Sequence, residues 1–433
     1  MKAKKNVKEL LEFIDRAPTP YHAVAELSAM LDAAGGKKLD ESERWDVLEP
    51  EKLYYFVRNE SCIAAFKTPS EEKKAAGWNI SLSHIDYPCL RVRPKPCSES
   101  NSYMRLNVEI YGGAINHSWF DRPLGLAGRV YVKDDSDAGF HGVNFHVKEP
   151  LLVIPELAIH MNGGVNDNAH FNPQTEMLPF FSQRFSDSDS FEKYIAKKAG
   201  VKAEDIISYD LSVCEYAPSV LTGRNGEFIS APHLDNTEMA YCSFKGFIDA
   251  CSDAENFSGT GSLVIAFDNE EVGSKSDRGA GSELLLSTIS RISSNLGLDQ
   301  EDNRRALVNS VICSADMAHA AHPSYPSTYD GEHVVYLNKG PVLKHSYSQK
   351  YIESPKGTAI FKSICEKAAI PYQEFVNRND LRGGSTVGPT SSSAIGATGF
   401  DIGNAIFSMH SVREFGGSGD VEPAVNFFRV FHS

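Results

Sequence analysis

The sequence predicts an α/β fold in which a central mixed sheet carries helices on both faces and a β-rich insert interrupts the chain. Two observations predict it. After residue 233, short apolar runs such as 263–267 alternate with helical stretches such as 239–250, and strands covered on both faces read as continuous apolar runs of this kind. Between about Arg91 and Pro232 the texture changes to short alternating segments separated by Gly, Pro and Asp-rich turns, the pattern of antiparallel strands. At 433 residues the chain is long enough for two or more domains, taking about 100–200 residues for each. The plan is a discontinuous α/β unit, 1–90 and 233–433, with the insert at 91–232.

Each element has a local signal. Leu10, Leu11, Phe13 and Ile14 form the stripe of a first helix. Thr19 as N-cap and Pro20 at the first position start a second, which runs through Ala23, Leu27, Met30 and Leu31 to Gly35-Gly36. Strands are expected at 53–57, 63–67 and 78–84, and in the insert at 105–111, 128–132 and 150–154. A polar surface loop is expected at 185–190. Further on come a helix at 239–250, a strand at 263–267 and a long helix at 280–296 that Gly297 stops. A strand at 307–314, a helix at 357–369 and a strand at 405–409 complete the series.

Composition narrows the class. A formal net charge of -14 disfavours nucleic acid and anionic membranes as partners. The eight cysteines are scattered with no C-x-x-C spacing, so they read as reduced, buried residues. No window approaches the 18 uncharged apolar residues of a membrane span. The basic start continues as a charged amphipathic helix and lacks the apolar core of a signal peptide. A cytoplasmic location is the expectation.

Five sites of acid or histidine sit at the ends of apolar runs: His84 with Asp86, His233 with Asp235, the pair Glu270-Glu271, Asp316 with His319, and His410. Each alone has a structural explanation. Asp235 and Asn236 suit a helix cap, and acidic strand ends are commonly just solvated. Together they offer two histidines and three carboxylates, one from each site. Zinc accepts both ligand types, and five side chains suffice for two ions if one carboxylate bridges them. Glu270 is then left over as a base beside its neighbour. That count points to a dinuclear hydrolase, with a peptidase, a deacylase and a phosphodiesterase all open.

The motifs Ser83-His84-Ile85-Asp86-Tyr87-Pro88, Tyr111-Gly112-Gly113, Leu157-Ala158-Ile159-His160, Leu234-Asp235-Asn236 and Asp268-Asn269-Glu270-Glu271-Val272-Gly273 occur in one order with Asp316-Met317-Ala318-His319, Gly340-Pro341-Val342-Leu343-Lys344 and Ser408-Met409-His410-Ser411. In this the chain resembles the aspartyl aminopeptidase and aminopeptidase-I family of dinuclear zinc exopeptidases, over nearly its whole length. The resemblance implies that His84, Asp235 and Asp316 hold one zinc, and that Asp235, Glu271 and His410 hold the other. Cobalt and manganese are possible substitutes. Glu270 resembles the general base and Asp86 the orienter of His84. His319, Lys344 and Tyr351 match substrate contacts, and His160 a histidine supplied by a neighbouring subunit. A peptide with a free N-terminus is the implied substrate, with acidic first residues a possible preference. Dimers built into a tetrahedral dodecamer are the implied assembly, the insert making dimer contacts. His233, where relatives often carry Arg, and the run Asn379-Asp380-Leu381-Arg382-Gly383 before Gly384-Ser385 depart from the pattern.

Overall fold

The computed structural model describes residues 5–167, 170–183, 190–253 and 255–433. Among the described residues the chain is a mixed α/β protein built on three sheets. The largest has nine strands. Its centre is a parallel set in the order Gly261–Phe267, Trp78–His84, Val311–Ala315 and Thr398–Gly403. Antiparallel neighbours flank the set, Cys62–Lys67 on one side and Val342–His345 on the other.

The sheet is buried on both faces. Along Gly261–Phe267, Val264 and Ala266 join one hydrophobic cluster while Leu263, Ile265 and Phe267 join the opposite one, as the two-residue period of a strand requires. The helices Lys5–Arg16, Pro20–Ala33, Leu234–Ser252, Pro355–Lys367 and Val421–His432 supply the first cluster, and Leu284–Asn295 supplies the second. Phe244, Phe247, Phe361 and Phe267 are fully buried, each contributing about 1.5–3 kcal/mol of transfer free energy.

A second, antiparallel sheet of six strands has the order Phe140–Leu152, Leu124–Lys133, Ile206–Glu215, Cys89–Ser100, Tyr103–Tyr111 and Phe180–Gln183. The third sheet joins distant parts of the chain: Val220–Thr222 and Phe228–Ala231 pair onward with Glu414–Gly417, then Ala405–Phe407 and Ala318–His319.

Several expected elements shift. Residues 307–314 are not one strand. A helix, Gln300–Asn309, capped by the Asp299 carboxylate on the Asp302 N–H, precedes the strand Val311–Ala315. The long helix begins only at Leu284; before it, Gly279 and Gly281 lie against the Ser274 carbonyl with no room for a side chain. Thr19 does precede a helix that opens on Pro20, but its hydroxyl bonds the His22 ring and not a backbone N–H. Within the β-rich segment a helix, Phe191–Ala199, is capped by Ser190; the rest of the polar stretch, 185–189, lies outside the described residues. Among the described residues no helix is long and apolar enough to cross a membrane.

Candidate metal centre

Adjacent strands bring the candidate ligands together. Trp78–His84 ends on His84, in register with Phe267 of the neighbouring strand. Val311–Ala315 hands over to Asp316, whose N–H donates to the Ile402 carbonyl. Beyond Phe267 the chain turns, with Asn269 at φ 64° and a single 3-10 turn over Glu270–Val272. The two glutamates are therefore off the strand, whose alternation would have pointed them to opposite faces. Asp235 lies in the non-helical first residues of Leu234–Ser252, and the Asp235-Asn236 peptide is cis. His410 follows the strand Ala405–Phe407 at φ 68°.

Asp235 divides its carboxylate. Its Oδ1 lies 3.7 Å from His84 Nε2, and its Oδ2 lies 3.4 Å from His410 Nε2. Asp316 Oδ1 is 3.9 Å from His84 Nε2, and Glu271 Oε1 is 3.3 Å from His410 Nε2. In each of three groups, His84–Asp235–Asp316, Asp235–Glu271–His410 and His84–Glu270–Glu271, the ligand atoms lie within 4.8 Å of one another, so by distance alone Glu270 also stands within reach of an ion. Glu270 Oε2 stands 4.0 Å from His84 Nε2.

These residues fit a metal. Asp235 Oδ1 and Glu271 Oε1 are buried without a well-formed hydrogen bond, an arrangement costing about 1–3 kcal/mol or more for a charged group. A cation between them would satisfy both. Nitrogen and carboxylate oxygen at these spacings suit zinc.

The electrostatics point the same way. Burial, with the Asp316 and Glu271 charges adding and His84 opposing, pushes Glu270 up to about 8. Burial also raises Asp316 to about 7, against Lys344 and with Asp235. Burial would lower His410, but Asp235 and Glu271 carry it up to about 11. These shifts arise from carboxylates buried close together, and a divalent ion between them would relieve that crowding of negative charge.

Asp86 and Glu414 hold the ligands from behind. Asp86 Oδ1 accepts the Glu270 N–H at 3.0 Å and its Oδ2 the Glu271 N–H at 3.1 Å, while His84 Nδ1 faces the Asp86 main-chain oxygen at 3.0 Å and Oδ1 at 3.3 Å. Glu414 was not singled out from the sequence. Its buried carboxylate accepts the Asp235 N–H at 2.9 Å and the His410 N–H at 2.6 Å. Only its position four residues after His410 hints at this, since its other partner lies far away in the chain.

A cavity of about 460 Å³ opens over the cluster and is lined also by His319, Lys344, Tyr351, Gly384 and Ser385. Lys344 is 2% exposed; its ammonium donates to the Met317 carbonyl at 3.2 Å, lies 4.0 Å from Asp316 Oδ2 and 4.8 Å from the centre of the Tyr351 ring. Burial, reinforced by Lys344, lowers the pKa of His319. Two sequence candidates lie apart. His160 is exposed and is not among the residues lining this cavity. His233 is buried and also absent from that lining, stacked on Tyr87 at 4.4 Å, with Nδ1 on the Thr237 hydroxyl.

The sequence matches the aminopeptidase I zinc metalloprotease (M18) family over residues 13–432. The chain belongs to the M18 family. It is thus a zinc metalloaminopeptidase, a hydrolase acting as an exopeptidase, which decides among the hydrolases that the ligand count leaves open. M18 relatives cover it almost end to end. The probable M18 family aminopeptidase 2 of Clostridium novyi (strain NT) is 38% identical over 98% of both chains. The aspartyl aminopeptidase of Dictyostelium discoideum is 37% identical over 98% of this chain and 95% of its own. Of solved structures, the Ape4 and Nbr1 complex superimposes with a TM-score of 0.95 at 34% identity, covering 100% of this chain and 87% of the other. The S. cerevisiae mApe1 dodecamer gives 0.84 at 28%, covering 99% and 96%.

Proposed function

We propose that this M18 enzyme is a two-zinc aminopeptidase with Glu270 as general base and a preference for peptides that begin with Asp or Glu. The observation that carries the reading is Asp235, which turns one oxygen towards each histidine and leaves Glu270 unspent beside them. His84, Asp235 and Asp316 would hold one ion, and Asp235, Glu271 and His410 the other, with cobalt or manganese able to substitute. Two such ions, when bound, lower the pKa of water and polarise the scissile carbonyl. Glu270 takes the proton from the attacking water and returns it to the leaving amine. Asp86 keeps His84 oriented and holds the Glu270–Glu271 turn. His319 offers an N–H to the carbonyl oxygen as negative charge develops there.

Lys344 supports the acidic preference. Among the residues lining the cavity Lys344 is the cation that a carboxylate on the first side chain could meet, although it also faces the buried Asp401. The activity named for the Dictyostelium relative agrees with this.

For assembly, the exposed side chains Leu157, Ile159 and Met161 around His160, 55%, 54% and 75% exposed, favour burial against another copy. The mApe1 structure is a dodecamer. The reading is a homo-oligomer of dimers in a tetrahedral dodecamer, with residues 91–232 as the inserted oligomerisation domain and 1–90 with 233–433 as the catalytic one. His160 then completes a neighbour's site, and His160→Phe cuts activity only in the assembled enzyme. The eight cysteines are all free, in keeping with the cytoplasm.

The decisive test is Glu270→Gln. It should retain two zincs per chain by mass spectrometry and lose about 10²–10⁴-fold in turnover; near-normal turnover would sink the assignment. Rates on Asp-, Glu-, Leu- and Lys-aminoacyl substrates test the preference.

A further inference from the structure

Tyr111, Gly112 and Gly113 lie at the end of the strand Tyr103–Tyr111, in the six-stranded sheet, yet they touch the metal centre. The Tyr111 hydroxyl donates to Asp86 Oδ2 at 2.6 Å and accepts from Asn269 Nδ2 at 2.9 Å. It therefore bonds both the residue that holds the Glu270–Glu271 turn and the residue that begins it. The Gly113 carbonyl accepts from His410 Nδ1 at 3.1 Å. That bond places the proton on Nδ1 and leaves Nε2 to face Asp235 and Glu271.

Closeness and backbone conformation favour glycine at 112, while Gly113 packs at ordinary contact distance. Gly112 has φ +71°, and a Cβ there would stand 3.1 Å from Glu271 Cβ; one on Gly113 would stand 3.4 Å from His410 Nδ1. The segment is anchored in its own sheet. Arg91, paired with Asp210 at 2.8 and 3.0 Å, lies 4.1 Å over the Tyr111 ring. Asp210 in turn stands on the strand Ile206–Glu215.

We infer that the six-stranded sheet is a working part of the metal centre: through Tyr111–Gly113 it positions His410 and Glu271 for one ion and, through Asp86, the turn that carries the base. The inference rests on the two-ion reading above. It gives the sheet a role beyond contacts between subunits, because Glu271, after a strand of the nine-stranded sheet, and His410, after a strand of the third sheet, are held in place where these meet the six-stranded sheet. Tyr111 and Gly113 act through other side chains and are positioning residues.

The test uses the full-length chain with Tyr111→Phe and Gly112→Ala, each titrated with zinc against a chromophoric chelator. Kinetics, thermal midpoint and oligomer mass are measured alongside. One of the two zincs should bind about 10–100-fold more weakly, with kcat falling by a similar factor, KM within about twofold and the oligomer mass unchanged. Tyr209→Phe, which loses a bond to the Arg93 carbonyl inside the same sheet, should bind both zincs as the wild type does. Wild-type zinc affinity and kcat in both variants would overturn the inference. So would an equal zinc loss in Tyr209→Phe, which would reduce the effect to sheet stability. Tyr111→Phe is nearly isosteric and carries the test if Gly112→Ala does not fold. A wild-type protein that binds a single zinc would refute the two-ion reading, and weakening of that one zinc by Tyr111→Phe would still support the positioning role.

Discussion

His84 and Asp316 stand at the ends of adjacent parallel strands, with side chains 2% and 11% exposed, whereas Glu271 and His410 stand on turns and the His410 side chain is 30% exposed. The backbone of the first half is tied to the ladder of the nine-stranded sheet, with His84 at a strand end and Asp316 directly after one. The second half depends on separate hydrogen bonds from Glu414, Asp86 and Gly113, each worth about 0.5–1.5 kcal/mol, or up to about 3 when one partner is charged. One cluster therefore combines a rigid half with an adjustable one, and the ion on the adjustable half should be the weaker and more exchangeable.

The largest effect should come from the residue the halves share. Asp235→Ala should strip both zincs and cost more than the roughly 10²–10⁴-fold of losing a base alone; a variant that kept two zincs would break the comparison. Next, His410→Ala should retain one zinc per chain by native mass spectrometry, while His84→Ala loses the tighter ion. Chelation of the wild type should then proceed in two steps, and a single step would show that the halves are equivalent. On the rigid half, Lys344→Met should reduce the ratio of kcat/KM for Asp over Leu substrates by about 10–100-fold, the range for a hydrogen bond to a charged group.

The smallest effect on activity should come from Glu238, on the helix that follows Asp235. Burial raises its carboxyl to about 8, and Asn404 is its hydrogen-bond donor at 2.7 Å. The folded chain thus holds a proton that the unfolded chain releases near pH 4.5. Stability falls as pH rises between these values. Glu238→Gln should flatten that decline in thermal midpoints from pH 5 to 9 and add on the order of a few kcal/mol at the alkaline end, with activity unchanged.

The strand at 263–267 was legible because a strand buried on both faces is a continuous apolar run, and the strand at 78–84 because Trp78, Ile80 and Leu82 alternate with Asn79, Ser81 and Ser83 at the two-residue period. Their ends are where His84 and the glutamates were found. The stretch 307–314 misled because Ala306, Leu307 and Val308 close a helix and Val311 and Ile312 open a strand, so one apolar run spans two elements; the capping pair Asp299 and Asp302 was the overlooked signal. The part played by Glu414 could not be read in advance. It acts on main-chain N–H groups of Asp235 and His410, and the first lies 179 residues away. Tyr111 reaches the centre only because one sheet docks on the other.

The position of His84 and Asp316 on neighbouring strands has a consequence for how the enzyme matures. In a zinc finger the metal supplies the folding energy and the empty chain is unstructured. Here His84 ends, and Asp316 follows, strands of a sheet packed on both faces by apolar clusters, so the polypeptide should fold without the metal and take it up afterwards, which circular dichroism of the chelated chain would check. Which ion takes the place is then set by supply at the time of loading, and the emptied enzyme should accept a different ion without being refolded.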